Sequence, residues 1–351
     1  MKRFKRHKDY GFFDQDFRLS KLSKLGDPLE KLKMGVNFTI FRALLEEKLS
    51  IQAKGKGGRP PYDYVLMFKI CILQQYYGLS DDQAEFQIND RMSFMRFLDL
   101  TISDDVPDSK TIWNFSEKLK DLGLVKELFE LFSKELSRLG LIVNEGKIID
   151  ASFVEAPRQR NNRDDNKHIK ATGTAPKQWD DKPNKRRQKD VDARWTKKNF
   201  QNYYGYKNHA KIDGKSKLID DYTVTDASVH DSQTMDELLN KEDRGQDIHA
   251  DSAYVGQEEI VEKYKVVNKI HEKGYKNNPL TEVQKKANTE KSKTRARVEH
   301  IFGFMENSMG SMFFRKIGIK RAEVTIGLMN LTYNMFRKIQ LEEMNLGTSA
   351  S

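Results

Sequence analysis

Two aspartates stand where aspartates are out of place. Asp150 interrupts the apolar run KIIDASFV, and Asp251 closes the short run in DIHADSAYV. Strand interiors disfavour Asp, and burying an unpaired carboxylate is costly. Ile148 and Ile149 beside Asp150 predict a central strand. Taken alone, each Asp fits two uses: a ligand to a cation, or an N-cap or partner of a nearby Lys or Arg. Taken together, at the ends of adjacent strands, they form the hard-oxygen site that Mg²⁺ prefers. A third acid, Glu299, lies beside the apolar stripe Val298, Ile301, Phe302, Met305 and Met309, at the edge of a predicted core. Arg295, four residues earlier, is expected on the same helical face, oriented on Glu299 by an i,i+4 pair. By itself that pair reads as an ordinary surface salt bridge.

Three carboxylates are the set that two-metal phosphodiester chemistry uses, with ions about 3.5–4 Å apart. One ion activates an attacking water or 3′-hydroxyl, and the other stabilises the leaving oxygen. Acids this far apart in sequence serve only if the fold brings them together.

The elements that must do so fall into three textures. Residues 1 to about 140 read as short helices. Asp63 caps one running to Tyr77 and stopped by Gly78, Ser80 with Gln83 forms a capping box for the next, and a short one covers Met92 to Leu98. Asp108 or Ser109 caps another, ended by Gly123, and Val125 to Leu139 follows at helical spacing. This pattern suits either a helix-turn-helix-like module, with Lys110, Thr111 and Asn114 opening the recognition helix, or a purely supporting bundle. From about 141 to 275 the texture is strand-like: KIIDASFV, YYGYKNHAKID, KLIDDYTVTDAS, DIHADSAYV and KVVNKIHEKG, with a helix predicted from Asp231 to Asn240. From 280 to 340 helices return.

The 351 residues carry a net charge of +10, unevenly spread. Between Arg158 and Lys198, 14 Lys and Arg face 6 Asp and Glu. Such a patch is either the footprint of a polyanion partner or a solvated loop, and its composition argues against a packed core of its own. Lys185, Arg186 and Arg187 are the leading phosphate contacts, and Trp179, Trp195, Tyr203 and Tyr204 are aromatics able to stack on bases. Tyr203 and Tyr204 fit better as strand packing. His209 and His230 lie near the acids and read more readily as structural histidines. No apolar run is long enough for a transmembrane helix, no apolar stretch follows the basic N-terminus as in a secretory signal, and the single cysteine, Cys71, sits in an apolar run, so a reducing compartment and no membrane partner are expected.

The chain resembles insertion-sequence transposases of the DDE superfamily, closest to the group named after insertion sequence five. The resemblance spans nearly the whole chain. It rests on GRPPYDYVLMFKICILQQYYGLSDDQAEFQINDRMSFMRFLDL and VPDSKTIWNF, and on KIIDAS, YGYKNHAKID, VHDSQ, DIHADSAY and RARVEHIFG. The family's catalytic and metal-binding acids map onto Asp150, Asp251 and Glu299. The last belongs to a Tyr-x-x-Arg-x-x-x-Glu-x-x-x-x-x-x-Lys signature in which Arg295 is a DNA-contacting residue. Two positions depart: Ser292 replaces the Tyr and Glu306 the Lys, so Glu306 competes with Glu299 and Lys316 or Lys320 becomes the substitute cation.

The resemblance implies an RNase H-like α/β fold: a mixed five-stranded sheet, three strands antiparallel and then two parallel, with flanking helices. An all-α DNA-binding domain (1–140) precedes the catalytic domain (141–345), which carries a basic insertion at about 156–200. It implies two Mg²⁺ ions, for which Mn²⁺ can substitute, double-stranded DNA partners (terminal inverted repeats and target DNA), a homodimer on DNA, and a prokaryotic, nucleoid-associated cytoplasmic setting. The implied reaction is cleavage at the element's ends and joining of the 3′-hydroxyls to target DNA. The alternatives are an inactive DNA-binding descendant and a structure-selective nuclease of the same fold.

Overall fold

Capping side chains set the N-terminal half. The computed structural model describes residues 11–50, 60–156, 160–198, 200–276, 278–309 and 312–349. It opens with α1 (Asp14–Lys24), α2 (Pro28–Gly35) and α3 (Arg42–Leu49). Asp63 accepts from the Leu66 amide at 3.0 Å and starts α4 (Tyr64–Tyr77), which Gly78 ends in the left-handed conformation at φ 62°. The Ser80–Gln83 capping box is formed at the head of α5 (Asp81–Asp90), and α6 (Met92–Leu98) follows. Asp108 accepts from Thr111 at 2.6 Å to start α7 (Ser109–Asp121), and α8 (Leu124–Arg138) completes the region.

The sheet then begins with β1 (Lys147–Glu155). The basic segment contributes α9 (Arg163–Thr172), α10 (Pro183–Arg186) and β2 (Arg194–Lys198); its residues 157–159 lie outside the described ones. Next come β3 (Gln201–Asp213), β4 (Ile219–Asp226), α11 (Met235–Leu238), β5 (Asp247–His249), α12 (Glu258–Tyr264) and β6 (Val267–Asn268). The chain ends in α13 (Glu282–Arg295), α14 (Arg297–Asn307) and the long α15 (Ile319–Ser349). The helix expected from Asp231 to Asn240 is shorter: a 3₁₀ turn, Asp231–Thr234, leads into the four-residue α11.

Strand β1 pairs antiparallel with β3, and β3 with β4; β5 joins the other side of β1 in parallel, and β6 joins β5 in parallel. This is the expected order of three antiparallel strands and two parallel ones. A sixth strand, β2, comes from the basic segment and lines up beyond β4 on the outer edge of β3. Gly205 makes this crowded crossing fit. A Cβ there would lie 2.3 Å from the Val154 carbonyl oxygen, and its φ is 150°.

The basic segment, expected to have no packed core of its own, nevertheless buries Ile169 and Trp179. Asp190 ties the segment down: it accepts from the Tyr206 hydroxyl at 2.7 Å and from the Gly318 amide at 3.1 Å. The segment borrows a core from β3, so its own composition could not reveal the packing.

One buried core runs from Leu29 to Ile339, and α15 is its spine, packing against α2, α4, α7, α8, β3 and β4. Its buried Asn residues are satisfied: Asn330 and Asn208 exchange hydrogen bonds at 2.7 and 3.0 Å, and Asn334 bridges the amide and carbonyl of Ile219. At the other end of α15, Arg321 forks onto Glu117 of α7 with two bonds of 2.7 Å. That pairing, helped by Lys120 and opposed by burial, holds the Glu117 carboxyl down at about 2. Because the folded value is depressed, the stabilisation is present above the ordinary glutamate range and is lost as pH falls towards 2. Glu117→Gln is therefore expected to lose stability at neutral pH and to show a shallower decline between about pH 4.5 and 2, read from urea midpoints. Among the described residues no helix is long and apolar enough to cross a membrane.

Candidate active site

Asp150 is the fourth residue of β1, opposite Ala210 of β3, with its side chain only 13% exposed. One carboxylate oxygen accepts from the Ala151 amide at 2.8 Å, and the other accepts from Arg295 Nη1 at 3.0 Å. Asp251 lies two residues beyond the end of β5, where its carboxylate caps the turn Ser252–Tyr254 by accepting from the Ala253 amide at 2.8 Å. Because β5 runs parallel to β1 with Ile148 beside His249, the two acids emerge at the same level of the sheet. Burial pushes the Asp150 carboxyl above its usual range; the Ala151 amide and Arg295 oppose this, and the negative charge of Asp251 adds to it.

Glu299 stands in the first turn of α14, exposed, and α14 packs against β1. The expected pair between Arg295 and Glu299 is replaced by another. Arg295 is the last residue of α13, Ala296 forms the joint, and α14 starts anew at Arg297, so the guanidinium reaches across to Asp150 instead. Glu306 is two turns further along the exposed face of α14. Ser292 Oγ faces His271 Nε2 at 3.4 Å. Among the described residues, no three His, Cys, Asp or Glu side chains converge closely enough to cage an ion. The structure thus brings Asp150 and Asp251 together and leaves Glu299 outside their immediate group. The pair itself suits a hard divalent ion: both are oxygen donors, and among the described residues their joint negative charge is met by an ion pair from Arg295 to Asp150.

Tyr254 and Lys207 escaped the sequence reading, whereas His209 and His230 did not. Tyr254, buried, holds its hydroxyl without a hydrogen-bond partner, and its phenol is driven well up by burial and by the charges of Asp231, Asp150 and Asp251. Its signal was its place in HADSAY, three residues after the acid. Lys207 clamps Asp231 at 2.7 Å. His209 is fully buried in β3, bonds Thr225 at 2.8 Å, and is pushed down to about 4, mainly by burial, so its ring is neutral at pH 7. His230 caps the turn after it, with Nδ1 2.9 Å from Ser232 Oγ. The other ring nitrogen of His209, Nδ1, is buried without a hydrogen-bond partner, 4.0 Å from Asp231.

The candidate DNA contacts lie elsewhere. Lys110 and Asn114 are exposed on α7, whose other face is buried by Ile112, Phe115 and Leu119. Lys185, Arg186 and Arg187 are exposed at α10, with Arg186 paired to Asp180. Trp179 is buried, and the Trp195 indole donates to the Asn161 carbonyl at 2.7 Å. Tyr204 is buried as well, and Tyr203 stacks on Phe153 at 4.2 Å. Lys316 is bonded to Ser116 at 2.8 Å, and Lys320 is exposed.

Comparison with known proteins gives two family matches. Residues 143–335 match the family model of the transposase DDE domain, and residues 17–118 match a transposase domain of the DUF772 type. Among solved structures, the chain is similar to the piggyBac transposase in a cryo-EM synaptic complex with hairpin DNA. The identity is 12% and the TM-score 0.44, over 92% of this chain and 76% of that one. With more than half of its length inside the DDE-domain match, this chain belongs to the DDE-domain transposase family.

Proposed function

We propose that the protein cleaves the ends of its own DNA element by hydrolysis and joins the freed 3′-hydroxyls to target DNA. The observation that carries this reading is the meeting of Asp150 and Asp251 at one level of adjacent parallel strands, with Arg295 laid on Asp150. DDE domains act with divalent ions. When bound, two Mg²⁺ ions would supply an activated oxygen nucleophile and charge stabilisation at the leaving oxygen. Asp150 and Asp251 would hold them, with Glu299 as the third ligand. In the first step water oxygen bonds to phosphorus while the P–O3′ bond breaks, leaving a 3′-hydroxyl and a 5′-phosphate. In the second, that 3′-hydroxyl attacks a target phosphodiester and expels its 3′-oxygen.

The protein's own groups do the positioning. Tyr254 stays protonated and offers a hydroxyl donor to the acidic centre. Residues 1–140 would bind the inverted repeats through Lys110 and Asn114, the catalytic part (141–345) would add Lys185, Arg186 and Arg187, and two copies would bring two ends together. The test is a nicking and strand-transfer assay on duplexes taken from the DNA flanking the protein's own gene. Mg²⁺-dependent nicks followed by joined products are expected. Binding without nicking would overturn the enzyme assignment in favour of a DNA-binding role, and nicking without joining would favour a nuclease.

A further inference from the structure

The hairpin joining β2 to β3 ends in a feature that neither the fold nor the acidic centre uses. Phe200, at its tip, is 93% exposed. Its backbone is held at φ 65°, a left-handed conformation that bulky residues rarely adopt. The ammonium of Lys197, itself exposed, lies 5.5 Å from the Phe200 ring centroid. The base of the hairpin is anchored. Phe153 stacks on Tyr203 at 4.2 Å, and the ammonium groups of Lys198 and Lys207 lie 5.7 and 5.4 Å from the Phe153 ring. An exposed aromatic on a braced, cationic finger leaves apolar surface in water.

The strand register shows where the finger points. Asp150 pairs with Ala210, and β3 runs nine residues from there to Gln201, at most roughly 30 Å at the usual rise per residue. The tip therefore projects past the C-terminal end of β1, in the direction in which β1 and β5 both run. That span is close to one turn of a DNA duplex, about 34 Å. A partner of that length has to be anionic to suit Lys197, Lys198 and the basic segment behind them, and has to offer a flat apolar surface to the ring. A DNA duplex, with phosphates outside and stacked bases within, supplies both.

We infer that Phe200 is a wedge that enters the base stack of bound DNA about one helical turn from the phosphate held at Asp150 and Asp251. This rests on the transposase reading above. It deepens that reading by assigning a contact that distorts the duplex, separate from the phosphate contacts. Phe200 carries no charge, so its contribution is apolar and insensitive to salt, whereas the Lys contacts give the salt dependence.

The experiment uses the full chain and duplexes about four helical turns long from the DNA flanking its gene, each carrying 2-aminopurine at one position. Wild type is expected to raise the fluorescence at one position about a turn from the nick. Phe200→Ala is expected to abolish that rise and weaken binding about tenfold, the order of one lost aromatic–base contact, without changing the slope of affinity against salt. Phe200→Trp is expected to keep the rise. An unchanged rise and affinity in Phe200→Ala, or no rise at any position in a wild type that binds and nicks, overturns the wedge and leaves the transposase reading standing. A wild type that neither binds nor nicks these duplexes overturns both.

Discussion

Asp150→Asn is expected to reduce DNA cleavage by at least about a thousandfold while leaving binding to the same DNA within a factor of a few. The magnitude follows from the chemistry. Ion-held oxygens are worth several kcal/mol of transition-state charge stabilisation, and each 1.36 kcal/mol is tenfold in rate. The selectivity follows from the structure. Asp150 is mostly buried and accepts hydrogen bonds from the Ala151 amide and Arg295, so an isosteric amide removes the charge without emptying space. Arg295 would lose its partner and become available to phosphate, which works against any loss of DNA affinity. A gel-shift titration and a Mg²⁺ nicking assay on the same duplex separate the two effects. Normal nicking by the variant would end the assignment of Asp150. Lost nicking together with lost binding would point instead to a folding defect, which a urea melt identifies.

The sequence was most legible where a local rule decides the outcome. Asp63, Ser80 with Gln83, and Asp108 announce helix starts through side-chain geometry confined to four residues, and all three caps form. The long strands β1, β3 and β4 are also written locally, as apolar or β-rich runs. The short ones are not. β5 has three residues and β6 two, so their place in the sheet depends on what β1 offers them. Asp150 was conspicuous because an acid inside an apolar run needs a reason. Tyr254 was not, because a tyrosine in an apolar setting is ordinary until its unpartnered hydroxyl is found among acids. Likewise, no spacing rule could pair Arg295 with a residue 145 positions away. The i,i+4 rule pointed to Glu299 and failed because the helix breaks at Ala296. The anchoring of the basic segment was hidden for the same reason, since it is supplied by β3 and by the residues leading into α15.

The second large effect concerns the third acid, for which Glu299 and Glu306 compete. Both are exposed on α14, and neither is gathered with the aspartates. Seven residues of helix separate them by about 10 Å along the axis. A Mg²⁺ ligand has to come within about 2.1 Å of the ion, so a site centred on Asp150 and Asp251 can draw on only one of them. Arg295 marks which. Its guanidinium already touches Asp150, so the joint at Ala296 lies within a side chain's length of the centre, and Glu299 is three residues beyond that joint. Drawing Glu299 in asks for a rotamer change or a small rotation at Ala296, whereas Glu306 would need α14 to slide two turns over the Val298, Ile301 and Met305 face that it buries. Glu299→Gln is therefore expected to cut nicking by about a hundredfold or more, while Glu306→Gln changes it by less than about threefold, in assays run at several Mg²⁺ concentrations. Loss of nicking in Glu306→Gln with Glu299→Gln active would transfer the ligand role to Glu306. If Glu306 instead stands against phosphate, its neutralisation is expected to tighten DNA binding and steepen its salt dependence, because one repulsive charge has left the interface.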